Sequence, residues 1–401
     1  MRKKIDLLAS FGIYGIGLLS FLIIEIVIIK KYNVTSIANW AFYKSTIILI
    51  GSFTLLGYDQ VLLRDPKLIR IHFKKFFLRA LVVSLCSTLI IFFIKDYSWE
   101  NAFLIFLGIV LYGLMNYNTA ASRANNNLWK SQFSKNFWKF FILLLLLSNF
   151  VQDIFIYFII AFSITVVFVF FFKGYISKNN KTLTNDISVN EAEGLSRAFL
   201  ITSVTLLLAI YGEQFLINLC GDEIASAHLF KYFAVITPIA LSLNGFLGFY
   251  LGPKIIRESN SKSHKSYKQL FHKVFLFSIV NTLFSSIIGV LFLKYYLDIE
   301  IQDFDFSLIL ILSGVSFIRG IYVTNSVYVG LYANKSELLG IARYFGIFTA
   351  LYLIAVVVAL FLFSGIFTAQ IISVLSLINW ISRFVISNIY IKRILNKKAV
   401  V

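Results

Sequence analysis

Charge is the scarcest ingredient of this chain. Asp, Glu, Lys and Arg make up 14% of its 401 residues, where a soluble domain carries about 25%. Acids are scarcer still, 19 against 37 Lys and Arg, for a net charge of +18. Only three prolines occur, at 66, 238 and 253, so helix breakers are nearly absent. Cys86 and Cys220 form no C-x-x-C motif, and the four histidines (72, 228, 264 and 272) are scattered, so neither a disulfide framework nor a metal site is indicated. No Walker loop, no Ser/His/Asp set and no pair of carboxylates in a polar pocket suggests hydrolysis or group transfer.

What the chain has in excess is apolar bulk: 59% hydrophobic residues, 43 of them Phe, and a mean hydropathy of +0.83. That excludes a soluble enzyme and a disordered chain. A nucleic-acid binder is the usual reading of so basic a balance. Here the basic residues form short patches between long apolar runs, which excludes it as well.

About 20 apolar residues cross a hydrocarbon core of about 30 Å. Twelve segments qualify, at roughly 6–29, 38–57, 78–94, 102–118, 138–152, 154–172, 197–219, 229–251, 271–293, 306–327, 341–363 and 366–391. Met1-Arg2-Lys3-Lys4 opens like a secretory signal, but the apolar run continues to Ile29 and no cleavage site follows, so it reads as a retained first helix. With both termini in the cytoplasm, 29 Lys and Arg fall on the inner side, and only Lys30, Lys31, Lys95 and Lys294 outside. Nine acids fall outside, so the sides are sorted by charge. Trp40, Trp99, Trp129 and Trp138 lie near span ends, as an aromatic belt requires.

Pro66-Lys67-Leu68-Ile69-Arg70 follows span 2, and Pro253-Lys254-Ile255-Ile256-Arg257 follows span 8. A weaker echo pairs Ala124-Asn125-Asn126 with Ala333-Asn334-Lys335. A shift of six spans preserves orientation, so these echoes predict parallel repeats. The expected architecture is an all-α polytopic membrane protein with two six-helix lobes around a central cavity. The lobes are residues 1–173 and 197–401, joined by a polar cytoplasmic linker at 174–196.

Charges inside spans are the chief functional signal, because each costs about 2.5–3.5 kcal/mol at mid-bilayer. Arg319 lies near mid-depth of span 10 with Tyr322 and Ser326 on its face, and Arg383 lies in span 12 with Asn379 one turn away. Each is either a cavity cation or a structural Arg bonded to a neighbouring helix. Lys44 and Lys231 either face the cavity or snorkel outward. Glu25 ends a stripe of Ser10, Tyr14, Gly17 and Phe21, which is either a cavity wall or a small-residue packing face. Glu213 holds the corresponding place in span 7, followed by Gln214. The two acids are candidate proton or cation sites, or ion-pair partners of Lys44 and Lys231. Pro238 marks a hinge or a plain bend. Four cations against two acids suit an anionic substrate, and aromatic faces suit sugar rings.

The chain resembles the Wzx-type O-antigen flippases, the polysaccharide-exporting branch of the multidrug/oligosaccharidyl-lipid/polysaccharide superfamily. The resemblance rests on Gly57-Tyr58-Asp59-Gln60 with Arg64 at the end of span 2, on Glu213, and on Pro238 in the next span. Where the family often has Gly-x-Tyr, this chain has Ala225 to His228, a loose match. The resemblance implies movement of undecaprenyl-pyrophosphate-linked oligosaccharide from the inner to the outer leaflet of a bacterial plasma membrane. It implies no cofactor, and other polysaccharide-assembly proteins as partners. Arg319, Arg383, Lys44 and Lys231, with Tyr322 and Asn379, would hold the pyrophosphate or acidic sugars; Glu25 or Glu213 would couple to protons or sodium. Two alternatives stay open. An O-antigen polymerase or ligase resembles chains with one large outer loop, which is missing here; a drug or small-solute antiporter would want an acidic lumen.

Reporter fusions test the orientation. Cytoplasmic reporters at both termini and near residues 65 and 260 should be active, and a periplasmic signal at 260 would sink the topology.

Overall fold

The computed structural model describes residues 2–55, 57–58, 61–62, 68–95, 97–125, 127–148, 154–171, 189–257 and 264–397. Among the described residues there is no strand, and the long helices number twelve. They are α1 (Arg2–Lys31), α2 (Val34–Phe53), α3 (Leu68–Lys95), α4 (Trp99–Ala124), α5 (Leu128–Ser148), α6 (Ile154–Phe171), α7 (Val189–Leu219), α8 (Glu223–Arg257), α9 (His264–Tyr295), α10 (Phe306–Tyr332), α11 (Lys335–Leu362) and α12 (Gly365–Lys397). Each expected span falls on one of them. Among the described residues nine are long and apolar enough to cross a membrane: α1, α3, α4 and α7 through α12.

Their outward faces agree. On α9, Leu276, Val280, Leu283, Ile287 and Leu291 are 47–67% exposed and recur at spacings of three and four, a continuous stripe along one side. Stripes of this size are untenable in water and natural against lipid. The chain is an all-helical, multi-pass membrane protein.

The three helices outside that set are informative. Trp40 to Ile50 of α2 are buried without interruption, so protein rather than lipid surrounds this helix. It can therefore carry Ser45, Thr46 and Lys44. α5 starts at Leu128, ten residues before the apolar run suggests, and carries Lys130 and Lys135 in its first half and Lys139 just past its midpoint. Lys139, which counts as an inner-loop cation by sequence, lies eleven residues inside a helix. α6 has a short apolar stretch, Phe155–Val169.

Helix ends follow local chemistry. Asp305 caps α10 by accepting from the Leu308 N–H at 2.9 Å. Asn334 and Glu337 form a reciprocal capping box at the start of α11. The Asn echo thus keeps its place and changes its role, since Asn125 closes α4 and Asn334 opens α11. The proline echo also diverges. Leu68 to Arg70 open α3, Pro66 and Lys67 lie outside the described residues, and Pro253–Arg257 is the last turn of α8.

Contacts divide the chain into two units, Met1–Lys31 with Asn39–Leu219, and Tyr32–Ala38 with Cys220–Val401. The division falls one helix later than the polar linker suggests. Residues 172–188 of that linker lie outside the described residues, and Val189 to Ser196 are already helical. α7 goes with the first unit because it packs there: Phe215 stacks on Phe42 with centroids 5.8 Å apart. Gly57, at φ +78°, lies so close to α7 that a Cβ there would sit 2.5 Å from the Leu200 nitrogen. Both the dihedral and the approach require glycine. Asp59, Gln60 and Arg64 lie outside the described residues.

In the second unit α8 stays helical through Pro238. The Ser285 hydroxyl of α9 accepts from the Ala240 N–H and donates to the Ile236 carbonyl, and Asn281 donates to the Ala240 carbonyl. These bonds brace α8 beside the proline, as expected of a fixed bend.

Trp40 and Trp138 depart from the aromatic-belt expectation. They are 0% and 1% exposed, and pack on Phe158 and Phe162 inside the first unit. Being near a span end in sequence did not place them at the membrane surface, because α5 starts earlier and α2 is enclosed.

The Ser10–Glu25 stripe shows how tightly α1 and α5 meet. A Cβ on Gly17 would lie 2.6 Å from Asn136 Cβ and 2.8 Å from its carbonyl oxygen. Gly17→Val should therefore destabilise the protein by about 1–3 kcal/mol, seen as a lowered melting temperature in detergent. An unchanged melting temperature would show that α1 and α5 do not meet at Gly17.

Candidate functional site

Of the eight candidate residues, Glu25 and Lys44 meet in the first unit and Arg319, Tyr322, Asn379 and Arg383 gather in the second, while Glu213 and Lys231 stand apart from these groups. In the first unit, Lys44 Nζ donates to Glu25 Oε1 at 2.7 Å, with both side chains 3% exposed or less. Glu25 lies six residues from the end of α1, and Lys44 near the middle of α2. Lys139 is within electrostatic range of the same carboxylate. Its ammonium donates to Asn136 Oδ1 at 3.0 Å, and Asn136 Nδ2 donates to Gln132 Oε1 at 2.7 Å. The Phe21 ring lies under both amines, 5.6 Å from Lys44 and 5.1 Å from Lys139. The stripe of α1 is thus a helix-packing face that ends in a buried ion pair. Lys139 belongs to this group and escaped the sequence reading, which counted it with the inner loop although it is the second residue of the expected span at 138–152.

Glu213 is 4% exposed and lies six residues from the end of α7, as Glu25 does in α1. Its neighbour Gln214 is equally buried. Glu25 and Glu213 thus occupy matching places in the first and seventh helices, as the sequence spacing predicts.

The second unit gathers four of the six proposed ligand residues in one place. Arg319 lies thirteen residues from either end of α10. Arg383 lies eighteen residues from the start of α12 and fourteen from its end. Both are therefore near mid-length of helices that run about 40 and 50 Å at about 1.5 Å per residue. Trp380 of α12 links them, with the Arg319 guanidinium 4.8 Å and the Arg383 guanidinium 5.8 Å from its ring. Phe345 of α11 lies 4.3 Å from Arg383 on another side. Arg383 Nη1 donates to Thr349 Oγ1 at 3.3 Å, and its guanidinium also hydrogen-bonds Tyr322. Tyr322 in turn sits edge-on to Trp380 at 5.9 Å.

Asn379 completes the group and is its most unusual member. It is 3% exposed, yet neither its amide oxygen nor its nitrogen has a hydrogen-bond partner among the described residues. An orphaned buried amide costs about 1–3 kcal/mol. The Trp380 indole N–H beside it is in the same state. The group thus combines two cations at mid-length, three aromatic rings and an amide without a partner among the described residues. Ser326, expected on the Arg319 face, is exposed. Trp380, Phe345 and Thr349 were not foreseen; Trp380 was readable at three residues before Arg383, but the other two required the packing of α11.

Lys231 lies apart from this group. It is half-exposed near the start of α8, 5.9 Å from the Tyr232 ring and within electrostatic range of Asp303. The nearby network ties helix ends together. Asp305 accepts from Gln370 at 3.0 Å and pairs with His228 at 3.1 Å, and Tyr232 accepts from the Asp305 N–H. Among the described residues no cluster of His, Cys, Asp and Glu could hold a metal ion.

Comparison with protein-family models, curated proteins and solved structures finds no match.

The Glu25–Lys44 pair has a measurable signature. Glu25→Gln leaves Lys44 buried and unmatched, and should cost about 3–5 kcal/mol. Glu25→Gln/Lys44→Met should recover most of that loss. A double-mutant cycle read by thermal unfolding in detergent checks this; additive losses would refute the coupling.

Proposed function

We propose that this chain is a flippase for lipid-linked oligosaccharides. It would move undecaprenyl-pyrophosphate-linked sugar repeat units from the cytoplasmic to the periplasmic leaflet of a bacterial inner membrane by alternating access. The proposal treats all twelve helices as spans with both termini inside, and it assigns no catalytic chemistry. The observation that carries it is the Arg319–Arg383–Asn379 group at mid-length of α10 and α12, in which Arg383 and Asn379 are buried, Arg319 is half-buried, and the Asn379 amide has no hydrogen-bond partner among the described residues.

Here Trp380 and Phe345 shield the guanidiniums, which lowers the cost of burying them and keeps them near a site for pyrophosphate or acidic sugar oxygens. Tyr322 and Trp380 add ring faces suited to sugars. A cationic drug is poorly served by such a site, which counts against the antiporter alternative. For ion coupling the candidates are Glu25, whose charge is matched by Lys44, and Glu213, buried at the matching place in α7.

Asn379→Leu separates a binding role from a structural one. Replacing an orphaned amide with a similar apolar side chain should leave the melting temperature unchanged or raise it. If Asn379 contacts cargo, the same variant should lose complementation of a flippase-deficient strain and leave lipid-linked repeat units on the cytoplasmic face. Arg319→Ala/Arg383→Ala should do so completely while remaining in the membrane. Full complementation by both variants would overturn the proposal.

A further inference from the structure

A second cationic site lies in the first unit, at the Leu68 end of α3. Thr54, Tyr58, Lys75, Phe76, Arg79 and Tyr117 are among the residues lining a shallow, open hollow whose enclosed space is about 10 Å³, room for one water, so a larger group would sit at its mouth. Among the described lining residues none is acidic. All belong to the first unit.

The walls are preorganised. Phe76 stacks on Tyr117 with centroids 4.4 Å apart, and the Arg79 guanidinium lies 5.5 Å from the Tyr58 ring. Thr54 donates to the Gly51 carbonyl at 2.7 Å, and a Cβ on Gly113 would lie 2.6 Å from its hydroxyl, so α2 and α4 meet without slack behind the hollow. Lys75 and Arg79 are one turn apart on α3 and share an edge of it.

The depth of this site follows from helix geometry. Lys95 ends α3, twenty residues beyond Lys75. At about 1.5 Å per residue that is about 30 Å, one hydrocarbon thickness. With Lys95 at one membrane surface, Lys75 reaches the other, and Arg79 lies about 6 Å deeper. Next to them on α3 runs an exposed apolar stripe of Leu78, Val82, Leu85 and Leu89. A cationic, aromatic-walled hollow at the headgroup level therefore opens beside a track for a hydrocarbon chain.

We propose that this hollow binds the phosphate headgroup of an anionic lipid in the cytoplasmic leaflet, with the lipid's chain lying along the α3 stripe. Lys75 and Arg79 supply the charge, and Tyr58 and Tyr117 the hydroxyls. The proposal rests on the transport reading for its purpose, since a site here would receive the lipid carrier before its sugars move. It does not rest on that reading for its test.

The test uses the purified full chain in detergent, titrated with phosphatidylglycerol or phosphatidylcholine and read by native mass spectrometry. The wild-type chain should prefer phosphatidylglycerol. Lys75→Gln/Arg79→Gln should lower that preference roughly tenfold or more. Lys392→Gln/Arg393→Gln, which removes two exposed charges from the last turns of α12, should leave it intact. Lys75→Arg/Arg79→Lys keeps the charge and should bind as the wild type does, which separates loss of the site from misfolding. An undiminished preference in the glutamine pair, or an equal loss in the α12 pair, overturns the site. Transport is scored separately. A chain that holds phosphatidylglycerol here but moves no lipid-linked glycan refutes the transport reading alone. A chain that transports while its glutamine pair still prefers phosphatidylglycerol refutes the site alone.

Discussion

Hydrocarbon offers no water to an unpaired polar group, and this one constraint organises the molecule. Each backbone N–H and C=O must find its partner inside its own segment, so the chain is helical among its described residues and spends almost no proline. The same constraint sorts the side chains. Leu, Ile, Val and Phe form the outward stripes, and polar residues turn toward protein. α2 shows the limit of this sorting. It carries Lys44, Ser45, Thr46 and Tyr43 because its neighbours enclose it, and a helix that never meets lipid has no need to be uniformly apolar.

The two units meet the cost of buried cations differently. In the first, a carboxylate matches Lys44 directly, and a second ammonium, that of Lys139, leans on Asn136 and the Phe21 ring. A matched pair is fixed: breaking it strands a charge, so it suits a structural joint between α1 and α2. In the second, Arg319 and Arg383 rest on Trp380 and Phe345. Ring faces reduce the penalty of burying a guanidinium, and Arg383 also donates to Thr349. The first unit matches charge with charge, whereas the second leans on aromatic faces and hydroxyls.

Much of this was legible in the sequence. Apolar run length located every helix, because the bilayer sets a minimum length that no other context requires. The mid-depth charges were legible for the same reason: a charge in an apolar run stands out and needs an account. The failures have separate causes. Lys139 was missed because it stands at the very start of the expected span, where it counts with the loop, whereas the helix begins ten residues earlier in a polar stretch. Trp40 and Trp138 were misplaced because sequence position reports depth along a helix and says nothing of which side faces protein. Phe345 and Thr349 could be found only from the packing of α11 on α12, a long-range fact that no local pattern carries. Glu25 was readable as an acid with two possible roles, and only the 2.7 Å contact to Lys44 distinguishes them.

The depth of the two cationic sites bears on how a carrier of this kind could work. Measured along their own helices, Lys75 and Arg79 lie near one end, and Arg319 and Arg383 near the middle. A phosphate drawn to the first site keeps most of its water, because the headgroup layer is wet, so binding there costs little and holds loosely. A phosphate at the second must shed that water, and only a surplus of positive charge with a donor ready can compensate. The orphaned Asn379 amide fits that requirement, since its cost is already present in the empty protein and is relieved when an anion arrives. On the transport reading proposed above, affinity at mid-depth would come partly from relief of a standing penalty rather than from a deeper well, which would trap the cargo instead of passing it on.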